Sequence, residues 1–219
     1  MVKQKVATPS KERREQERAV TRSKILEAAG EMFAEKGVEN TTMRAIADRI
    51  GYTATAIYYH FADKDALLRE LCYCDFSELG QVIAQARFTE DPIARIRQTG
   101  LAYVDFGLRN PSQYKFMFMT QHDHEHVITP DTVSVSVSNP EESAYAFLQQ
   151  SVADAIRAGR IRPELCEVPH QVSNLLWAAV HGVVSLHLIK STDPWIEWDD
   201  PRALAEMMVD AAIRGITVS

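Results

Sequence analysis

The chain has 219 residues, 46% hydrophobic and 25% charged, enough apolar material for a core that needs neither disulfides nor a metal. Three cysteines, Cys72, Cys74 and Cys166, are too few and too irregular for a secreted disulfide scaffold or a four-cysteine zinc module. The net charge of −6 is uneven: residues 1–70 carry 13 basic against 11 acidic side chains, and residues 71–219 carry 11 against 19. A mildly basic module joined to an acidic remainder points toward nucleic acid at one end. There is no unbroken run of about 18 apolar residues and no apolar stretch near Met1, so no membrane segment or signal is expected, and the default is a reduced, cytoplasmic protein.

Residues 1–17 are polar, with both charge signs and no apolar period, and read as a mobile arm. Ile25, Ala29, Met32 and Phe33 then recur at helical spacing up to Gly37, which predicts a helix over 20–36. Thr42 can cap a short helix with Met43, Ile46, Ala47 and Ile50 inside and Gly51 as its stop. Thr53 can cap a second, with Ile57 and Phe61 inside. Asp63 can cap a longer helix from Lys64 into the mid-80s, patterned by Leu67, Leu71, Leu79, Val82 and Ile83.

Farther on, Asp91-Pro92, Asn110-Pro111, Asn139-Pro140 and Asp200-Pro201 predict four helix starts. An Asx side chain accepts from unpaired first-turn amides, and proline at the first helical position lacks an N–H that had no partner anyway. Pro169 predicts a further helix to Lys190, and Gly159 closes the one beginning at Glu141. Val133, Val135 and Val137 alternate with serines, but one short alternation makes no sheet, so 121–138 reads as a loop. The expected fold is all-α with about nine helices: a head over 18–66 and a second domain over 67–219.

Two short helices joined by a tight turn form a helix-turn-helix. The second must be exposed and carry small or hydrogen-bonding side chains to enter a groove about 12 Å wide. Thr53-Ala54-Thr55-Ala56-Ile57-Tyr58-Tyr59-His60 meets that demand. Residues 42–67, TMRAIADRIGYTATAIYYHFADKDAL, resemble the DNA-binding motif of the TetR family of bacterial one-component regulators, through Ala47, Gly51, Ile57, Tyr58, His60, Phe61 and Lys64. Tyr52 departs from the family's small aliphatic residue. Trp177, His181 and Gly182, with 110–118, resemble the regulatory domain of a Trp-His-Gly subfamily.

The resemblance implies double-stranded operator DNA, a small-molecule effector and a homodimer paired through its last two helices, with no cofactor, metal or catalytic residue. It assigns phosphate contacts to Thr42, Thr53, Tyr58, His60 and Lys64 and base reading to Arg44, Thr55, Ala56 and Tyr59, with Ala54 or Ala56 against thymine methyls. Its effector site would use Tyr103, Phe106, Phe118, Tyr145, Trp177 and His181. Alternatives stand beside these assignments. Arg44 can be a solvated surface charge. The aromatics, Tyr114 among them, can fill a cavity rather than line one. Gln121-His122-Asp123-His124-Glu125-His126 can serve a metal-responsive sensor or a small helical enzyme, or be a polar loop. Cys72 and Cys74, two apart on a helix, point away from each other.

Overall fold

A computed structural model describes residues 9–120, 139–141 and 143–218. The His-rich stretch and the Val-Ser alternation lie outside them. The described chain is all-α, with ten α-helices: α1 Pro9–Lys36, α2 Met43–Arg49, α3 Ala54–His60, α4 Lys64–Ala84, α5 Pro92–Arg109, α6 Pro111–Met119, α7 Ala144–Arg157, α8 Pro163–Cys166, α9 Pro169–Lys190 and α10 Pro201–Ile216. A 3₁₀ turn, Gln85–Phe88, follows α4. Two compact units emerge: residues 9–72 with 115–120, and residues 73–114 with 139–141 and 143–218.

In the first unit α1 begins at Pro9, eleven residues before the predicted helix and inside the predicted arm. That segment lacks an apolar period but holds good helix formers in i,i+4 ion pairs, Lys11 with Glu15 and Arg13 with Glu17. Ile25, Ala29, Phe33, Ile46, Ala47, Ile57 and Leu67 are fully buried together. Phe33 stacks on Phe116 at 5.8 Å. Gly37 and Gly51 take positive φ at the ends of α1 and α2, which only glycine adopts without strain. On α4, Leu67, Leu71, Leu79 and Ile83 are buried as the pattern predicts, whereas Val82 is exposed.

In the second unit α5, α9 and α10 pack on one another, and α7 packs on α5 and α9. One core cluster joins Ile96, Leu148, Val152, Ile161, Val172, Leu176 and Ile216. Gly100 lets α5 approach closely, since a Cβ there would meet Val209 at 3.2 Å and Val180 at 3.3 Å. Arg95 of α5 pairs with Asp154 of α7, and Arg97 pairs with Asp210 of α10 at 2.7 Å.

The four Asx-Pro pairs divide. Asp91 and Asp200 cap as predicted, accepting from the Ala94 and Ala203 amides at 2.9 and 2.8 Å. Asn110 instead turns back, donating to the Phe106 carbonyl at 3.1 Å and finishing α5. Asn139 accepts from Glu141 in a local turn, and the true cap of α7 is Ser143, which accepts from Ala146 at 3.2 Å. Gly159, at φ 66°, follows the end of α7. By length and composition alone α9 is apolar enough to cross a membrane, although polar residues such as Asn174, His181 and Ser185 interrupt it and it holds no unbroken run of about 18 apolar residues. Its apolar residues split between a face in the core, with Val172, Leu176, Val180, Val183 and Val184, and an exposed set, Leu175, Leu186 and Ile189.

Candidate nucleic-acid interface

Each short helix of the head is started by the threonine the sequence nominates. Thr42 Oγ1 accepts from the Ala45 amide at 3.1 Å, and Thr53 Oγ1 accepts from the Ala56 amide at 3.3 Å. Asp63 caps α4, accepting from Ala66 at 2.7 Å. The caps matter because seven-residue helices cannot sustain themselves by propagation. Each capping hydroxyl keeps its own proton, available to an acceptor outside the protein.

The α3 side chains sort by face. Ile57 is fully buried and anchors the helix, while Thr53, Thr55, Tyr58 and Tyr59 are exposed and Ala54, Ala56 and His60 are half-buried. Tyr59 is 71% exposed, so its ring is not a core aromatic. Arg44 projects from α2 and is exposed as well. Arg49, also on α2, is held by Glu31 at 2.8 Å and Glu35 at 3.5 Å, which raise its pKa.

Arginines of α1 support the C-terminal end of α3. Arg22 pairs with Glu70, donates to the His60 carbonyl at 2.7 Å and lies 4.2 Å over the Phe61 ring. Arg18 lies 5.4 Å over the Tyr59 ring, which meets His60 edge-on at 5.4 Å. Desolvation, then the charges of Arg18 and Arg22, lower the His60 pKa and favour the neutral ring. Lys64 is less free than the sequence suggests: its ammonium donates to the Val38 carbonyl at 3.0 Å. Two of its three donors remain for a phosphate. Tyr52 is half-buried and, with Arg13, Gln16, Glu17, Val20 and Thr21, lines an open cleft of about 480 Å³.

The second unit brings several of its nominated aromatics together. Tyr114 OH lies 2.6 Å from His181 Nδ1, and Tyr103 OH lies 3.0 Å from Tyr114 OH and 3.1 Å from the same nitrogen. Burial lowers the His181 pKa and pushes Tyr103 up to about 12 and Tyr114 higher. All three groups are therefore neutral near pH 7. Trp177 leans on His181 at 6.1 Å, and Tyr145 leans on Trp177 at 5.7 Å while donating to Asn174 Oδ1 at 2.6 Å. Phe106 is buried on α5, and Phe118 is half-buried in the first unit. Tyr114, nominated only as one aromatic of a set, proves central. The spacing of 67 residues to His181 left no signal of their pairing.

Asp75 on α4 was not foreseen at all. It is 6% exposed, accepts from Gln113 at 2.9 Å, and burial pushes its pKa up to about 7. Cys72 is half-buried and Cys74 is exposed on α4. Among the described residues no three His, Cys, Asp or Glu side chains gather as metal ligands.

Known proteins place this geometry. Residues 25–71 match the bacterial regulatory proteins of the tetR family, and residues 96–212 match the tetracyclin repressor-like C-terminal domain. The HTH-type transcriptional regulator AcrR of Shigella flexneri is 28% identical over 152 residues, 68% of this chain and 71% of that protein. The HTH-type regulator UidR of Escherichia coli K12 is 28% identical over 171 residues, 75% and 80% of the two chains. A TetR family transcription regulator from Marinobacter aquaeolei VT8 shares the fold, with a TM-score of 0.72, 20% identity, and coverage of 94% of this chain and 100% of that one. The family's members are DNA-binding regulators, against the small-enzyme alternative. The chain belongs to the TetR family and is a DNA-binding transcriptional regulator.

Proposed function

We propose that the protein is a ligand-responsive repressor that binds a two-fold symmetric operator as a homodimer in the cytoplasm. The observation carrying this reading is α3: one buried anchor, Ile57, with Thr55, Tyr58 and Tyr59 exposed and the small Ala54 and Ala56 half-buried between them, started by a threonine cap. Thr55, Ala56 and Tyr59 face the bases, with Ala54 or Ala56 against thymine methyls. Thr42, Thr53, Tyr58, His60 and Lys64 hold phosphates. Arg44 takes guanine O6 and N7 with its two-pronged guanidinium.

A second copy covers the exposed apolar residues of the last long helices, Leu175, Leu186 and Ile189 on α9 and Met207 and Met208 on α10. Such a self-complementary face suits an isologous dimer, whose two heads meet half-sites about one helical turn or a multiple apart. The effector binds within the second unit, at Tyr103, Phe106, Tyr145, Trp177 and His181. Its leverage on DNA affinity is limited to its differential affinity for two states of the protein.

Selection of duplexes from a random library tests the reading. Wild-type protein should select inverted half-sites, and Arg44→Ala should cost about 1–3 kcal/mol at one base pair of each half-site with no change elsewhere. A loss spread evenly over all sequences would make Arg44 a phosphate clamp instead. An unpaired, asymmetric selected site would remove the symmetric dimer.

A further inference from the structure

From Ile25 onward one face of α1 is buried in the head through Ile25, Ala29, Met32 and Phe33. Continued toward the N-terminus at the same helical spacing, that face carries Arg22, Arg18, Arg14 and Lys11. The stripe is apolar where the core lies against it and basic where α1 overhangs, and every residue from Lys11 to Val20 is exposed. A helix face that is merely solvated mixes charge signs. Here the acidic neighbour on the face is Glu15, 3.7 Å from Lys11, while Glu17 pairs with Arg13 on another face at 3.5 Å. Arg22 is committed to Glu70 and the His60 carbonyl. Arg14 and Arg18 have no carboxylate within 4 Å among the described residues.

The stripe also has a starting point. Arg18 lies 5.4 Å over the ring of Tyr59, on the exposed side of α3. With a rise of 1.5 Å per residue, Arg14 stands about 6 Å beyond Arg18 along the α1 axis, leading away from that contact. The occupant must therefore be anionic, extended and continuous with whatever α3 touches. Duplex DNA flanking the operator has that chemistry, and the planar arginine fork matches phosphate oxygens. Both arginines lie outside the family match, which begins at residue 25.

We propose that the overhang of α1 is a phosphate rail: Arg14 and Arg18 bind the duplex backbone outside the base pairs that α3 reads, and Arg18 also positions the Tyr59 ring. The proposal rests on the reading of α3 as the base-reading helix. Each bound phosphate releases condensed counterions, so the rail adds affinity that is steep in salt and blind to sequence. Arg18 adds a second effect, because its guanidinium restricts an aromatic ring at the bases.

The test uses the full-length protein and a duplex it selects from a random library, prepared both trimmed to the selected base pairs and extended by about one helical turn on each side. Arg14→Ala and Arg18→Ala should each lower the slope of log K against log salt by about 0.9 on the extended duplex. The Arg14→Ala effect should vanish on the trimmed duplex. Arg18→Ala should also broaden preference at the base pair Tyr59 contacts, and Arg18→Lys should restore the slope. Arg13→Ala, off the stripe, should leave the slope as it was. Unchanged slopes in both stripe variants, on a duplex that Tyr59→Ala fails to hold, would overturn the rail alone. Wild-type protein that selects no duplex would overturn the rail together with the reading beneath it.

Discussion

The two units spend their polar groups in opposite ways. In the first, hydroxyls, phenols and guanidiniums stand on the surface: Thr53, Thr55, Tyr58, Tyr59 and Arg44 surround one buried anchor, Ile57. In the second, polar groups are drawn inside and satisfy one another, as Tyr103, Tyr114 and His181 do. An exposed polar face on a rigid helix suits a partner that brings water-exposed acceptors of its own. An interior polar network, costly to leave half-satisfied, suits a ligand that replaces or extends its hydrogen bonds. The proposed DNA reading and effector sensing would draw on these two opposite arrangements.

The interior network can be disturbed by volume alone. A Cβ on Gly107 would stand 2.6 Å from Val184 Cγ1 and 2.8 Å from the Tyr114 ring, and both side chains are fully buried. Neither can swing into open space, so Gly107→Ala should destabilise the protein by about 3 kcal/mol. The displaced ring should also loosen the Tyr114–His181 hydrogen bond. Thermal unfolding followed by near-ultraviolet circular dichroism checks both. An unaltered melting temperature would show that the close approach of α5 is not what seats Tyr114.

Asp75 probes the same interior by charge. Its pKa, raised from 3.8 to about 7 mainly by burial, means the folded state keeps a proton that the unfolded chain has released. Stability from this group is therefore fully present below about pH 4 and is lost as pH rises toward 7. Gln113 and Glu78 face it, and Glu78 adds to the upward shift. Asp75→Asn keeps a neutral side chain at every pH and should be more stable than the parent by about 2 kcal/mol at pH 8, with no gain at pH 4. Denaturant midpoints at the two pH values decide it, and equal midpoints at pH 8 would mean the carboxyl is solvated when charged.

How far each unit could be read from the sequence follows the same division. Thr42, Thr53 and Asp63 were legible because a cap is a local event, fixed within three residues. Ile57 against Tyr58 and Tyr59 was legible because a period of 3.6 separates inside from outside on seven residues. The start of α1 was not, because charged residues from Lys11 to Arg18 form a helix through ion pairs that no apolar period announces. The Asn110-Pro111 pair does mark the start of α6, although the Asn110 side chain serves the helix before it, whereas Asn139 misled because an Asx side chain can hold a local turn instead. Val82 shows the limit of the period itself, since it sits beside buried Ile83 yet lies outside. Tyr114 with His181, and Asp75 with Gln113, depend on helices 67 and 38 residues apart coming together. Composition and spacing carry no such information.

The smallest expected effect separates folding from function at a single atom of the reading surface. Thr53 Oγ1 accepts from the Ala56 amide at 3.3 Å, and its proton points to no partner that the cap requires. Thr53→Ala removes both roles and should cost about 1 kcal/mol of stability as well as DNA affinity, so by itself it decides nothing. Thr53→Asp keeps the cap, because a carboxylate accepts the same amide and suits the positive end of a helix dipole. It gives up the donor and places a negative charge where a phosphate is proposed. Its stability should stay within about 0.5 kcal/mol of the parent, while affinity for every duplex falls, most at low salt, where repulsion is least screened. Thr53→Ser, which keeps the acceptor and the proton, should restore both. If Thr53→Asp binds DNA as the parent does, Thr53 caps α3 and touches no phosphate. The exposed face of the head would then begin at Thr55.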